Sequence, residues 1–222
     1  MAPNGEPSKL FSDLLVNFNN DRNAAIQAKA KVYSESFKMW FGDWLGEDKT
    51  NVSKIVDNNG EPLMVYHYSD DAIEEFSTDF DNYFNTVKGG TRDAIFFTGN
   101  NAPTTGTVLD REHQIPVYLK ADKVIEKTGT KDELRAQGEG FVPTINRAAE
   151  EADAAVFHGI DDNQEVNQDI YVISDPNNVK SVYNQGSFST EDNNIYESAP
   201  EVSPYDYFKG KKLIHSLKGR CI

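Results

Sequence analysis

The chain has 222 residues, of which 38% are hydrophobic, 11% aromatic and 26% charged, with a formal net charge of −14. That much apolar material excludes a wholly disordered protein and suffices for one domain of ordinary size plus a small helical appendage. The charge is uneven: residues 199–222 carry Lys209, Lys211, Lys212, Lys218 and Arg220 against Glu201 and Asp206, which leaves −17 on residues 1–198 by subtraction. An acidic body repels phosphates, so nucleic acid is not the expected partner. The single Cys221 permits no internal disulfide. Neither a basic start followed by an apolar run nor a stretch long enough to span a bilayer is visible, so a soluble protein without a secretion signal is expected.

Leu10, Phe11, Leu14, Leu15 and Phe18 recur at spacings of three and four, with Ser8 or Ser12 placed to cap, and predict a short amphipathic helix over 8–18. Asn19-Asn20-Asp21 breaks it, and a second helical pattern runs over 22–33. Phe37, Trp40, Phe41 and Trp44 then place four aromatics in eight positions, which reads as a plug docking a helical leader onto the next domain. After an Asn58-Asn59-Gly60 turn, strands are predicted at Leu63–His67, Ile95–Thr98, Val117–Ile125, Ala154–Ile160, Ile170–Ile173 and Val179–Tyr183. Helices are expected over 143–152, with Pro143 near its start, and over 131–137. Runs of strands with few helices between them imply an α+β fold with largely antiparallel sheets. The long polar segments 70–93 and 99–114 read as loops, and 186–207 as a loose tail.

His67, His113, His158 and His215 lie far apart with no clustered cysteines, so no metal site is expected. Gly138-Glu139-Gly140 begins like a dinucleotide fingerprint, but Pro143 stands at the third glycine and a charged helix precedes it where a strand is needed. His67 differs from the other histidines because it ends an apolar strand, where rigid scaffolds place site residues; a purely structural histidine fits the same position.

Three segments carry a resemblance. Phe37–Trp44 with Ser53–His67, then Ala94–Asn100, then Asp169–Ser181, in this order, resemble the ADP-ribosyltransferase domains of polyvalent proteins from phages and conjugative elements. The likeness covers roughly residues 35–197, leaving 1–34 as a helical leader and 198–222 as a flexible basic tail. It implies a split pair of mainly antiparallel sheets and, within the wider superfamily, similarity to the branch of diphtheria toxin and the poly-ADP-ribose polymerases, with His, Tyr and Glu on separate strands. It further implies NAD+ as co-substrate and a mono-ADP-ribosyltransferase acting on a protein, such as one of a host, as a toxin or effector of a phage or bacterium, working in the bacterial cytoplasm or after delivery. NAD+ glycohydrolysis, or a catalytically degenerate NAD-binding or structural module, are the competing implications.

By that likeness His67 would bond a ribose hydroxyl, the backbone of Tyr68 would hold the nicotinamide amide, and Phe96 would stack on the nicotinamide ring, as an aromatic face can without a hydroxyl. Ser69 and Phe97 would border the same cofactor site. The glycosidic bond breaks through an oxocarbenium-like state, so a nearby carboxylate would support the ribose cation. This chain departs from the family at two points. Tyr68 stands where glycine is usual, so its ring must turn away or form a wall of the slot. No glutamate stands at the third position, where Asp169, which ionises at neutral pH, and Gln168 compete, with Glu165 outside; Asp169 equally suits a plain strand start after a turn. Arg92 near the pyrophosphate has an ordinary surface reading beside it.

Overall fold

The structure, a computed structural model, describes residues 8–78, 94–99, 113–160 and 168–196. Three helices open it. Helix α1 (Lys9–Asn17) is capped by Ser8, whose side chain accepts from the Phe11 amide, and buries Leu10 and Leu14. Asn19 and Asn20 take positive φ (52° and 63°) to reverse the chain, which short polar side chains tolerate best. Asp21 then caps α2 (Arg22–Val32) and Ser34 caps α3 (Glu35–Phe41). At Gly42 (φ 97°), which ends α3, a Cβ would come within 2.4 Å of the Asn51 carbonyl oxygen, so only glycine fits.

The aromatic plug forms as expected. Phe37 stacks on Phe41 at 5.1 Å and meets Trp40, Tyr118 and Phe188 edge-on, so leader, sheet and a later loop share one buried cluster. Each such ring contributes about 1.5–3 kcal/mol through burial. A polar tie reinforces the docking. Glu61, fully buried, accepts from Ser8 Oγ at 2.8 Å and from the Leu10 amide at 3.3 Å, with Lys29 Nζ 3.6 Å away. A buried carboxylate needs such partners.

Seven strands follow: β1 (Val65–Ser69), β2 (Ile95–Thr98), β3 (His113–Leu119), β4 (Val124–Thr128), β5 (Ala154–Ile160), β6 (Gln168–Ile173) and β7 (Val179–Ser181). Helices α4 (Lys131–Ala136) and α5 (Phe141–Glu151) connect β4 to β5, the one parallel pair, as a crossover must. The order is β4-β5-β6-β2-β1-β3-β7, with all other neighbours antiparallel.

This sheet is built as two halves. Helices α1–α3 cover the outer face of β1 and β3, through Met64, Tyr66 and Tyr118. Helices α4 and α5 cover the outer face of β5, β6 and β2, through Ala155, Phe157, Ile170 and Val172. The inner faces of both halves meet in a single core that includes Val65, Ile95, Phe97, Val117, Val156 and Tyr171. Between the halves, β1 and β2 share among the described residues the register pair Tyr66 opposite Thr98, whereas β1 and β3 pair along the whole of β1. The α+β class, the mainly antiparallel split pair and the helical leader agree with the sequence expectation.

Several boundaries differ. The single strand expected over Val117–Ile125 is two strands, β3 and β4, on opposite sides of the sheet. Ser53 Oγ accepts from the Ala121 amide and the Asp153 carboxylate accepts from those of Asp122 and Lys123, which takes residues 120–123 out of any ladder. The first strand starts at Val65, because the Leu63 amide bonds Ile55 and Pro62 bridges to Val56. The loose tail expected from residue 186 is packed as far as 196. Phe188, Ile195 and Tyr196 are buried, and buried Lys180 donates to the carbonyls of Asp192 and Asn194. Arg92, Glu165, His215 and the basic tail lie outside the described residues. Among the described residues, no helix is long and apolar enough to cross a membrane.

Candidate active site at the β1/β2 junction

Strand β1 alternates strictly. Tyr66 and Tyr68 turn towards the leader helices, while Val65 and His67 face the inner core. The Tyr66 hydroxyl accepts from Asn17 Nδ2 at 3.1 Å, and burial pushes its phenol up to about 12. The Tyr68 hydroxyl accepts from Gln114 Nε2 at 2.7 Å, and burial raises this phenol as well. Of the two fates open to Tyr68, its ring therefore turns away, leaving only its backbone beside the junction.

His67 occupies the point where β1 and β2 part. Its Nδ1 lies 2.9 Å from the Phe96 carbonyl oxygen. A carbonyl only accepts, so Nδ1 carries the proton and donates to it. Edge-on contacts with Phe76 (5.0 Å, 85°) and Phe97 (5.7 Å, 60°) hold the ring in plane. Ser69 Oγ accepts from the Asp71 amide at 3.1 Å, which shapes the loop after β1.

Phe96 meets His67 through its carbonyl, not its ring. The half-buried ring lies on the outer face of β2, against the α4/α5 cluster, and the aromatic beside the imidazole is Phe97. Phe76, a lone aromatic in the polar run Ile73-Glu74-Glu75-Phe76, also reaches the imidazole and was not among the expected site residues. An isolated large ring in an otherwise polar loop was its only signal.

At the start of β6 the two candidates for the third position behave differently. Gln168 Oε1 accepts from Thr98 Oγ1 at 2.9 Å, on the outer face. Asp169 uses both carboxylate oxygens within the sheet: Oδ1 accepts from the Gly159 amide at 3.0 Å and Oδ2 lies 3.1 Å from His158 Nδ1. Its backbone carbonyl accepts from the Gly99 amide at 3.1 Å, tying β6 to the end of β2. Burial, and then the carboxylates of Asp169 and Glu126, push the Tyr171 phenol well above its ordinary range.

Of the segment Gly138–Pro143, the first three residues form the turn between α4 and α5, and Phe141–Pro143 begin α5. Gly138 (φ 73°) follows α4 and Gly140 precedes α5. Glu139 between them pairs with Arg147 and Lys127, whose hydrogen bonds hold its carboxyl down to about 2. No strand feeds α5, so the dinucleotide fingerprint is absent there. Among the described residues, no three His, Cys, Asp or Glu are grouped to hold a metal ion.

Comparison with curated proteins and with solved structures returns no match. The family model described as ADP-ribosyltransferase in polyvalent proteins matches residues 57–188, from the turn before β1 past the end of β7. That is more than half of the chain and includes the whole sheet with the His67 junction, and the protein belongs to this ADP-ribosyltransferase family.

Proposed function

We propose that the protein is a mono-ADP-ribosyltransferase that takes ADP-ribose from NAD+ and moves it to a protein target with release of nicotinamide. The observation that carries this reading is the imidazole of His67 standing where β1 and β2 part, with its tautomer set by the Phe96 carbonyl. In that tautomer Nε2 accepts a hydrogen bond from a ribose hydroxyl. The backbone of Tyr68 holds the nicotinamide carboxamide, with the Tyr68 ring directed elsewhere. Phe97, on the imidazole's face of β2, borders the nicotinamide, Phe96 acts through its carbonyl on His67, and Ser69 lies at the rim.

Fixing the ring and the ribose on rigid strands lowers the barrier by orientation. The C1′–N bond breaks with its electron pair passing to the pyridinium ring, which leaves as neutral nicotinamide. The ionisable Asp169, at the head of β6, is the carboxylate of the third position, with Gln168 beside it. Residues 35–197 form the catalytic domain, with 1–34 as leader and 198–222 as tail. The setting is a phage or mobile element whose soluble product acts in a bacterial host.

Incubating the full chain with labelled NAD+ and a bacterial lysate tests the reading. Label moving onto protein supports transfer, while intact NAD+ and unlabelled protein at several concentrations refute it. One observation favours glycohydrolysis as a second reading: the Asp169 carboxylate is already engaged by Gly159 and His158, and Gln168 bears no charge to steer a protein acceptor. Free ADP-ribose formed without labelled protein identifies that outcome.

A further inference from the structure

We propose that His158, oriented by Asp169, is the general base of the acceptor side and that the acceptor is therefore a hydroxyl, either a serine or threonine side chain or water. This rests on the transferase reading above and names the acceptor chemistry of the same site.

The geometry comes from a β-bulge. The β5/β6 register runs evenly from Ala154 opposite Ile173 to Phe157 opposite Ile170, then resumes at Ile160 opposite Gln168, so β5 holds one extra residue at His158-Gly159. Gly159 takes a positive φ of 64°. Bulges re-aim a side chain without breaking the sheet, and here the re-aimed side chain is an imidazole. Asp169 fixes the result by accepting from both the Gly159 amide and His158 Nδ1. With Nδ1 protonated against a carboxylate, Nε2 carries the lone pair, as in any oriented base of a nucleophile, base and orienter set.

Among the described residues, the charged groups facing this imidazole are Asp169 of β6 and Glu126 of β4, whose Oε2 is 3.9 Å from Nε2. His158 and Asp169 side chains are 36% and 39% exposed, so solvent and an acceptor both reach them. The two-residue alternation puts Asp169 on the face of Tyr171 and His67 on the face of Val65, and both faces belong to the one inner core. His158 stands on β5, three places from β1 in the strand order, so the strands of the two histidines are about 14 Å apart, a span that the two side chains and a bound nucleoside cover between them.

The step balances as follows. The acceptor oxygen bonds to C1′ as the C1′–N bond gives its pair to nicotinamide, and the acceptor proton passes to His158 Nε2. The resulting imidazolium lies between the carboxylates of Asp169 and Glu126 and returns its proton to solvent. An arginine guanidinium is a cation that must lose a proton before it can attack, whereas a neutral hydroxyl becomes acidic only as its oxygen bonds to C1′ and then yields its proton to an imidazole; a carboxylate acceptor needs no base. A hydroxyl is the acceptor that the pair suits.

The test uses the full chain and its His158→Gln, His158→Ala and Asp169→Asn variants. His158→Gln is expected to keep the NAD+ affinity of the parent, measured by calorimetry, and to lower transfer or hydrolysis about 10²–10⁴-fold, the range for a lost general base. The acid limb of its pH–rate profile disappears. Added imidazole restores part of the rate to His158→Ala, which a merely structural histidine would not allow. Asp169→Asn is expected to slow the reaction less and to keep the acid limb. Protein-bound label resists neutral hydroxylamine, which strips ester-linked ADP-ribose. Wild-type rate in His158→Gln, or label that hydroxylamine releases, overturns the proposal while leaving NAD+ cleavage intact. Parent protein that neither binds nor cleaves NAD+ overturns the transferase reading and this one with it.

Discussion

Replacing His67 by phenylalanine and by alanine separates its chemical from its structural contribution. Alanine removes the hydrogen bond to the Phe96 carbonyl and the edge-on contacts with Phe76 and Phe97. The bond is worth about 0.5–1.5 kcal/mol and each aromatic contact about 0.5–1.5 kcal/mol, giving a loss of roughly 2–4 kcal/mol. For a chain of this size that lowers the Tm by roughly 4–16 °C. From the sequence alone, His67→Ala would be expected to leave folding nearly unchanged, and the ring contacts overturn that. Phenylalanine keeps a ring against Phe76 and Phe97 and loses the nitrogens, so its Tm falls by only roughly 2–4 °C, for about 1 kcal/mol. Both variants lose the Nε2 acceptor. One neutral hydrogen bond is worth about 2- to 13-fold in Kd, with a larger loss in turnover if the bond tightens in the transition state. Thermal unfolding and calorimetric titration with NAD+ measure the two effects. Parent-like NAD+ binding and turnover in His67→Phe refute the assignment of the imidazole, and equal destabilisation by both substitutions refutes the packing account.

Three further outcomes are expected. Glu61→Ala leaves Ser8, the Leu10 amide and Lys29 without their buried acceptor, and should lower unfolding stability by about 3–5 kcal/mol, read by urea denaturation; adding Lys29→Met should recover part of that loss. Tyr68→Phe removes the Gln114 bond and should cost about 1 kcal/mol or less while leaving NAD+ affinity unchanged, because the hydroxyl faces the leader. Glu139 is depressed from 4.5 to about 2, so its contribution to stability is fully present above the unfolded value and is lost as pH falls towards the folded one. The difference in unfolding midpoint between the parent and Glu139→Gln should accordingly hold steady above pH ~5 and fade by pH ~2.

Elements whose identity rests on continuous apolar runs were legible in the sequence. Strands Ile95–Thr98 and Ala154–Ile160 have the predicted bounds because they are largely buried on both faces and flanked by polar or glycine residues. The cap of α1 was legible as far as Ser8 or Ser12, of which Ser8 is the cap, while Asp21, read as part of a helix break, caps α2, since capping is a local matter of one side chain and the next few amides. The break between β3 and β4 was not, because Ser53 and Asp153, far away in the chain, capture its amides. His67 was singled out as the last residue of an apolar run, whereas the strand continues through it to Ser69. Its aromatic neighbours were found only in part: Phe97 had been noted, but Phe96 was given the stacking role and Phe76 was overlooked. Strand parity was the missing step, since it sends the Phe96 ring outward and keeps Phe97 with His67. The His158–Asp169 pair was hidden for a different reason. It depends on a bulge that shifts one register by a residue, and His158-Gly159 is the only local hint of it.

The leader deserves to be counted with the site even though the family match begins at Asp57. His67 stands between Tyr66 and Tyr68, and both of those rings belong to the cluster that the leader helices complete. Asn17 at the end of α1 bonds the Tyr66 hydroxyl through its side chain and receives the Tyr183 hydroxyl on its carbonyl. The outer face of β1 is thus held by the leader while the inner face presents the imidazole. Strand β1 is paired with β3 along its whole length and, among the described residues, with β2 at Tyr66, and packing of Tyr66 and Tyr68 against the leader adds to what fixes the strand. Undocking α1–α3 would expose Met64, Tyr66 and Tyr118 and remove the outer support from the strand that carries His67, whose ring must keep its alignment to the Phe96 carbonyl for Nε2 to stay an acceptor. The buried Glu61 tie, joining the N-terminus of α1 to the turn just before β1, therefore helps to hold the strand that carries His67.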